Sequence, residues 1–140
     1  MIYLATPQDA KIVWGIEKKC FKKDNRYTLS AIRDLIKEGA IWILEVAHFP
    51  IGFAVIEYRT DFIYIASLDI LPKFRGCGYG SNLMEWAEFA AGFKHRKIKL
   101  HVSVDNAAQK LYYDLGYRVQ GVVKSYYGKG KNALLMEKKL

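Results

Sequence analysis

The residues with the most to say about chemistry form one run, Leu71-Pro72-Lys73-Phe74-Arg75-Gly76-Cys77-Gly78-Tyr79-Gly80-Ser81, with three glycines inside five positions behind an arginine. Glycines at this density let a backbone turn tightly and approach a ligand closely. The helix expected from Ser81 adds unpaired amide donors and the positive end of its dipole, which together suit an anion such as a pyrophosphate. Arg75 either pairs a phosphate or braces the loop. The Walker pattern is excluded, because Gly80 leads into Ser81 and Asn82 rather than a lysine. The dinucleotide fingerprint needs a wider glycine spacing and a parallel β-α-β unit, and the strand meander before Pro72 speaks against it. What remains is Arg-x-x-Gly-x-Gly at Arg75, Gly78 and Gly80. On its own it reads equally well as an anion cradle or as a structural turn into a helix.

Other polar side chains gain meaning from where their elements point them. His101 sits between Leu100 and Val102 in a strand pattern, so alternation turns the imidazole away from those two residues. Tyr64 occupies a central strand between Ile63 and Ile65. Asp69, farther along that strand, falls on the opposite face from Tyr64, which favours a structural or surface role over that of a base. Tyr112 and Tyr113 lie in the helix that opens at Asn106, and a turn of about 100° per residue sends them different ways. By periodicity alone Tyr112 is a core aromatic and His101 a hydrogen-bonded structural residue.

The positioning elements follow from punctuation and period. Ile2 to Ala5 reads as a strand, and Thr6-Pro7 as a helix start. That helix is expected to reach about Cys20 and to bury a stripe of Ile12, Ile16 and Cys20 widened by Val13 and Trp14. Phe21 to Tyr27 is a polar loop. Thr28 caps a second helix with Leu29, Ile32, Leu35 and Ile36 as apolar positions, ended by Gly39. Three strands follow, Ala40 to Ala47, Ile51 to Tyr58 and Phe62 to Leu71, linked tightly by 48–50 and 59–61 and therefore expected as antiparallel neighbours. Then come a helix from Ser81 to Phe93, a strand from Ile98 to Val102, a helix from Ala107 to Leu115 closed by Gly116, and strands Tyr117 to Lys124 and Ala133 to Lys138. This order implies an α/β fold, a mixed sheet covered by helices on both faces.

At 140 residues the chain is expected to form one domain, 1–140, and its balance of 51% hydrophobic and 26% charged residues argues against disorder. No signal-peptide pattern and no membrane-length apolar run stand out, so a cytoplasmic protein is expected. Two cysteines and three scattered histidines fit neither a disulfide framework nor a metal-ligand spacing, and no metal is expected. The net charge of +8 attracts polyanions or an anionic coenzyme without saying which. Lys94, His95, Arg96, Lys97 and Lys99 form one basic cluster; with no nucleic-acid-binding motif beside it, a solvated surface is the better reading.

Two motifs in the right order carry a family resemblance. Arg75-x-x-Gly78-x-Gly80, and Asn106-Ala-Ala-Gln-Lys-Leu111-Tyr112-Tyr113-Asp-Leu-Gly116-Tyr117 behind it, make the chain from Ile2 to its end resemble the GNAT N-acetyltransferase superfamily. The resemblance implies a seven-stranded, twisted, mostly antiparallel mixed sheet and acetyl-CoA as cosubstrate. It implies that main-chain groups at Leu68, Ile70 and Leu71 hold the pantetheine arm. Arg75, Gly76, Cys77, Gly78, Tyr79, Gly80 and Ser81 would hold the pyrophosphate, and Asn106 would bond the arm near the thioester. Tyr112 then matches the phenol that gives the departing thiolate its proton. Tyr64 and His101 stand where, in some eukaryotic protein N-terminal acetyltransferases, a tyrosine and a histidine order a water that deprotonates the peptide amine. Bacterial ribosomal-protein acetyltransferases carry a glutamate at the His101 position, so the base stays open among His101, Tyr64 and a water path.

The same resemblance bears on the acceptor. Protein N-terminal acetyltransferases have a tyrosine pair like Tyr126-Tyr127 in a hairpin that closes over the peptide, and an apolar wall where Phe21 stands; otherwise the pair reads as two hairpin aromatics. Relatives often place proline after that phenylalanine, and Lys22 here departs from them. The expected acceptor is the α-amine of a protein or peptide, a ribosomal protein among the candidates. A monomer or weak dimer is expected, with no membrane partner and no specific nucleic acid. The alternatives are a small-amine or lysine acetyltransferase, and a catalytically silent coenzyme-binding module docked to RNA through its basic surface.

Overall fold

The computed structural model describes residues 1–92 and 94–140. Its elements run β1 (Ile2–Leu4), α1 (Ala10–Cys20), α2 (Leu29–Lys37), β2 (Ile41–Val46), β3 (Phe49–Tyr58), β4 (Ile63–Ile70), α3 (Tyr79–Ala91), β5 (Lys97–Ser103), α4 (Ala108–Asp114), β6 (Arg118–Val123) and β7 (Ala133–Lys139). The sheet order is β1-β2-β3-β4-β5-β7-β6. β1 with β2, β2 with β3, β5 with β7 and β6 with β7 are antiparallel, and β4 with β5 is parallel, so the sheet is mixed as expected. The element order anticipated from the sequence is the observed one. The expected end of the third helix at Phe93 lies outside the described residues.

Cα proximity groups the chain into two compact units, Met1–Ile56 with Ser67–Trp86 and Glu57–Ala66 with Ala87–Leu140. In the first, the Thr6 amide donates to Asp9 Oδ2 at 2.8 Å and Pro7 occupies a position that needs no donor, so the chain enters α1 through one 3-10 turn. The buried face of α1 differs from the expected stripe. Ile12 is exposed, while Ala10, Val13, Ile16 and Glu17 are buried. Thr28 Oγ1 accepts from the Ala31 amide and starts α2, which buries Ile32 and Ile36. Ile41, Ile43, Phe53 and Val55 add the apolar strand faces, each fully buried aliphatic or aromatic side chain stabilising the fold by about 1.5–3 kcal/mol. The β2–β3 link is shorter than expected. Ala47 and His48 take it alone, with φ of 50° and 67°, and Phe49 and Pro50 belong to β3.

In the second unit, β5 alternates cleanly. Ile98, Leu100 and Val102 are buried, and Lys99 and His101 project the other way. β7 lies between β5 and β6, pairing His101 with Leu135 and Gly121 with Leu135 from its two edges. α4 ends on Gly116 at φ 97°, with its amide on Tyr113 O (3.0 Å) and the Tyr117 amide on Tyr112 O (2.9 Å), a closed helix end that only glycine takes without strain. Tyr117, fully buried, donates its hydroxyl to Glu88 at 3.2 Å, and Lys138 holds the same carboxylate oxygen at 2.9 Å. Two of the five residues of the basic cluster share one acidic partner in this unit, and a third bonds a backbone carbonyl. Lys97 and Lys99 lie 3.6 and 3.9 Å from Glu137, and His95 Nε2 bonds Arg59 O at 3.0 Å.

Candidate active site

Parallel pairing of β4 with β5 sets Tyr64 opposite Lys99, and His101, two residues on, shares that face. The outcome is one cluster of three sequence-predicted residues. Tyr64 Oη is 2.6 Å from His101 Nδ1 and 3.2 Å from Tyr126 Oη. The His101 ring stacks on Tyr126 with centroids 4.2 Å apart and planes 15° off parallel, and Tyr127 stands edge-on to Tyr126 at 4.9 Å. Tyr126 is brought there by the turn between β6 and β7, where the Ser125 amide donates to Asn132 Oδ1 at 2.9 Å and the Tyr127 amide to Lys131 O at 3.1 Å. A cavity of about 690 Å³ opens beside the cluster, bordered also by Tyr58, Arg59 and Asp61. The sequence did not single out those three.

Electrostatics divide the roles inside the cluster. Burial lowers the His101 pKa from its ordinary 6.5, so the imidazole is neutral at neutral pH and has a lone pair to offer. Burial first, then the hydrogen bond to Tyr126, pushes the Tyr64 phenol far up, so it stays protonated. Tyr127 is pushed up to about 12, again chiefly by burial. A neutral base, a protonated phenol and two aromatic faces on a cavity are suited to taking a proton from a cationic group held there.

In the same unit, Tyr112 and Tyr113 separate as the helical turn requires. Tyr112 is buried and edge-on to Tyr117 at 6.1 Å, whereas Tyr113 is exposed. Asn106 Oδ1 accepts from the Ala108 amide at 2.8 Å and shapes the turn into α4.

The glycine loop belongs to the other unit. Pro72–Phe74 forms one 3-10 turn after β4, and Arg75 then folds back so that its Nε donates to Ile70 O at 2.9 Å. Arg75 therefore braces the loop through Nε. Gly76 and Gly78 take φ of 77° and 89°, and a Cβ on either would meet nothing within 4 Å, so the outer face of the loop is open. These two residues complete the reversal, and α3 starts at Tyr79, two residues before the expected Ser81. Gly80 is thus part of the first helical turn. The Asn82 amide already bonds Gly78 O at 3.1 Å, leaving the amides just before it as the donors an anion meets. These donors and the open glycine face fit a pyrophosphate. Of the remaining predicted residues in this unit, Phe21 ends α1 and is partly exposed, Cys77 is exposed, and Leu68, Ile70 and Leu71 lie at the end of β4 and just beyond.

One feature of this unit escaped the sequence reading. Of the structural and surface roles expected for Asp69 the structure shows the structural one, and what the sequence did not reveal is its hydrogen-bonding neighbour, the buried carboxyl of Glu17. A signal existed. Val13, Ile16, Glu17 and Cys20 are spaced i, i+3, i+4, i+7, and a charge on such a stripe needs a partner.

The described residues thus form an open mixed sheet of seven strands with a glycine-rich turn into the third helix and a polar cluster on β4 and β5, and sequence comparison gives this architecture a name. The family described as acetyltransferase (GNAT) domain matches residues 37–119, more than half of the chain. The chain belongs to the GNAT acetyltransferase family. Over 91 residues it is 32% identical to the ribosomal protein bS18-alanine N-acetyltransferase of Haemophilus influenzae, a match covering 61% of this chain and 62% of that protein's length. Ard1 of Thermoplasma volcanium shares the fold with a TM-score of 0.88 at 24% identity, over 100% of this chain and 97% of that one. Naa50 of Arabidopsis thaliana, in complex with the bisubstrate analogue CoA-Ac-MVNAL, does so with a TM-score of 0.87 at 19% identity, over 100% and 98%. At these identities the structural likeness is one of fold.

Proposed function

We propose that the chain is an acetyl-CoA-dependent N-acetyltransferase that transfers acetyl directly to the N-terminal α-amine of a protein or peptide. The observation that carries this reading is the imidazole of His101, bonded to the Tyr64 phenol and stacked on Tyr126 beside a cavity. An α-amine has a pKa of about 7.7–8.0 and is mostly protonated at neutral pH, so it must lose a proton before it attacks an acyl group. His101 takes that proton, directly or through a water that Tyr64 helps to hold. Tyr126 and Tyr127 offer hydroxyls and ring faces to an extended peptide. Tyr112 gives a proton to the departing thiolate.

Acetyl-CoA, when bound, supplies the activated acetyl group. The amides at Gly78 to Ser81 would hold its pyrophosphate, and the main chain at Leu68, Ile70 and Leu71 its pantetheine arm. Support for the acceptor class comes from the named relatives, one an alanine N-acetyltransferase of a ribosomal protein and another described with an analogue that joins CoA to MVNAL. A ribosomal protein is accordingly among the first acceptors to try. We place the enzyme in the cytoplasm, working as a monomer or weak dimer; among the described residues no helix is long and apolar enough to cross a membrane.

The test is a panel of peptides with free and blocked N-termini, run beside lysine, polyamines and aminoglycosides, with acetyl-CoA and mass-spectrometric mapping. Acetyl is expected on the free α-amines and absent from the blocked peptides. Acetylation of the small amines alone would overturn the acceptor class.

A further inference from the structure

The two most deeply buried charged residues take no part in the chemistry proposed above. Glu17 on α1 is 2% exposed and Asp69 on β4 is 1% exposed. Each has one oxygen satisfied: Glu17 Oε2 accepts the Tyr27 amide at 2.8 Å, and Asp69 Oδ1 accepts the Ser67 hydroxyl at 2.6 Å. Their other oxygens, Glu17 Oε1 and Asp69 Oδ2, are buried with no donor. Yet the two carboxyls are hydrogen-bonding and like-charge neighbours. Two carboxylates so placed repel each other without water to screen them, and both orphaned oxygens want the same thing. A single proton between them satisfies both at once.

The surroundings tie this pair to the strand end where the coenzyme arm is proposed to lie. Asp69 adjoins Ile70, whose carbonyl accepts from Arg75 Nε at 2.9 Å and from the Cys20 thiol at 3.4 Å. The thiol itself is pushed up to about 11, chiefly by burial, so it remains a donor. β3 comes so close here that a Cβ on Gly52 would sit 2.4 Å from Asp69 O. The Leu71 amide bonds Ile51 O at 2.8 Å. The groups acting on Asp69 are thus Glu17 and Cys20 from α1, Ser67 from its own strand, Arg75 from the loop after it, and bare backbone from β3.

We propose that Glu17 and Asp69 share one proton, Asp69 Oδ2–H donating to Glu17 Oε1, and that this bond between α1 and β4 positions the strand end at Ile70 for acetyl-CoA. The positioning half rests on the coenzyme reading above; the shared proton does not. Both are positioning residues, since neither touches the reacting atoms. The sign of the pH dependence follows. Burial first, and the Glu17 carboxyl next, hold the Asp69 carboxyl well above its ordinary 3.8, with Ser67 and Arg75 opposing. An unfolded chain releases that proton above 3.8 while the folded chain keeps it, so the stability it contributes is full below 3.8 and is lost as pH rises through the raised value.

The test uses Asp69→Asn, whose amide donates to Glu17 and accepts from Ser67 without a proton to lose, and Glu17→Gln as a second variant built the same way. Wild type should show the infrared band of a buried protonated carboxylic acid at neutral pH, absent from both variants. The melting temperature of wild type relative to Asp69→Asn should fall as pH rises, and the wild-type KM for acetyl-CoA should climb at alkaline pH while those of both variants stay flat. No such band, or a melting difference independent of pH, overturns the shared proton. KM profiles that run parallel in wild type and both variants overturn the positioning role. Wild type that binds no acetyl-CoA at any pH overturns the coenzyme reading together with the positioning role, and leaves the band to decide the proton alone.

Discussion

Tyr64, His101 and Tyr126 in one unit and Glu17, Asp69 and Ser67 in the other are both sets of hydrogen-bonded polar groups at the sheet, and in both, burial favours the neutral form of a titratable group. They differ in access. The first borders a cavity, and its burial is partial, so the imidazole is made neutral and still meets whatever enters. The second is sealed, with both carboxyls at 2% exposure or less, so its retained proton satisfies the interior and meets nothing else. A neutral group next to space is a reagent, and one without space is a fastening.

If that distinction holds, substitutions in the two places fail in different ways. The largest effect is expected from His101→Ala, which should lower kcat/KM by about 10²–10⁴-fold, the usual worth of a general base, with little change in melting temperature. Next comes Gly52→Ala on the sealed side. Its Cβ would meet Asp69 O at 2.4 Å and Ile70 Cδ1 at 2.6 Å, and such overpacking should destabilise the fold by about 1–3 kcal/mol in denaturant titration. Tyr64→Phe removes one hydroxyl and its bonds to His101 and Tyr126. Losing about 0.5–1.5 kcal/mol there should lower kcat up to about tenfold while stability moves less. The smallest effect is expected from Lys110→Ala, which breaks an exposed i, i+4 pair with Asp114. Less than about 0.5 kcal/mol in the same titration, and unaltered kinetics, would set the background for the other three.

Much of the open cluster was legible because local rules place it. Strand alternation turned His101 away from Leu100 and Val102, and helical rotation separated buried Tyr112 from exposed Tyr113. What the residues alone did not supply was a role, which came from motif order. The sealed pair was illegible for the opposite reason. Asp69 looked like a surface or structural residue because its partner, Glu17, lies far back in the chain, and a long-range pairing leaves no local period. The same holds for the Tyr117–Glu88–Lys138 network. Boundaries slipped where backbone geometry outran residue type. Ala47 and His48 took a left-handed turn with no glycine to announce it, and α3 began at Tyr79 because two glycines sufficed to reverse the chain. Ile12 was assigned to the core by four-residue spacing, although the three-and-four spacing from Val13 was the buried one.

The central claim is that His101 accepts the proton of the acceptor amine. It is tested most directly by the pH profile of kcat with both substrates saturating, which reports groups in the bound complex, for wild type and His101→Gln. The wild-type rate is expected to fall on the acid side below pH 6.5, because burial lowers the imidazole pKa from that value, and the variant to be slow with this limb gone. An acid limb that persists unchanged in His101→Gln, at an undiminished rate, would contradict it.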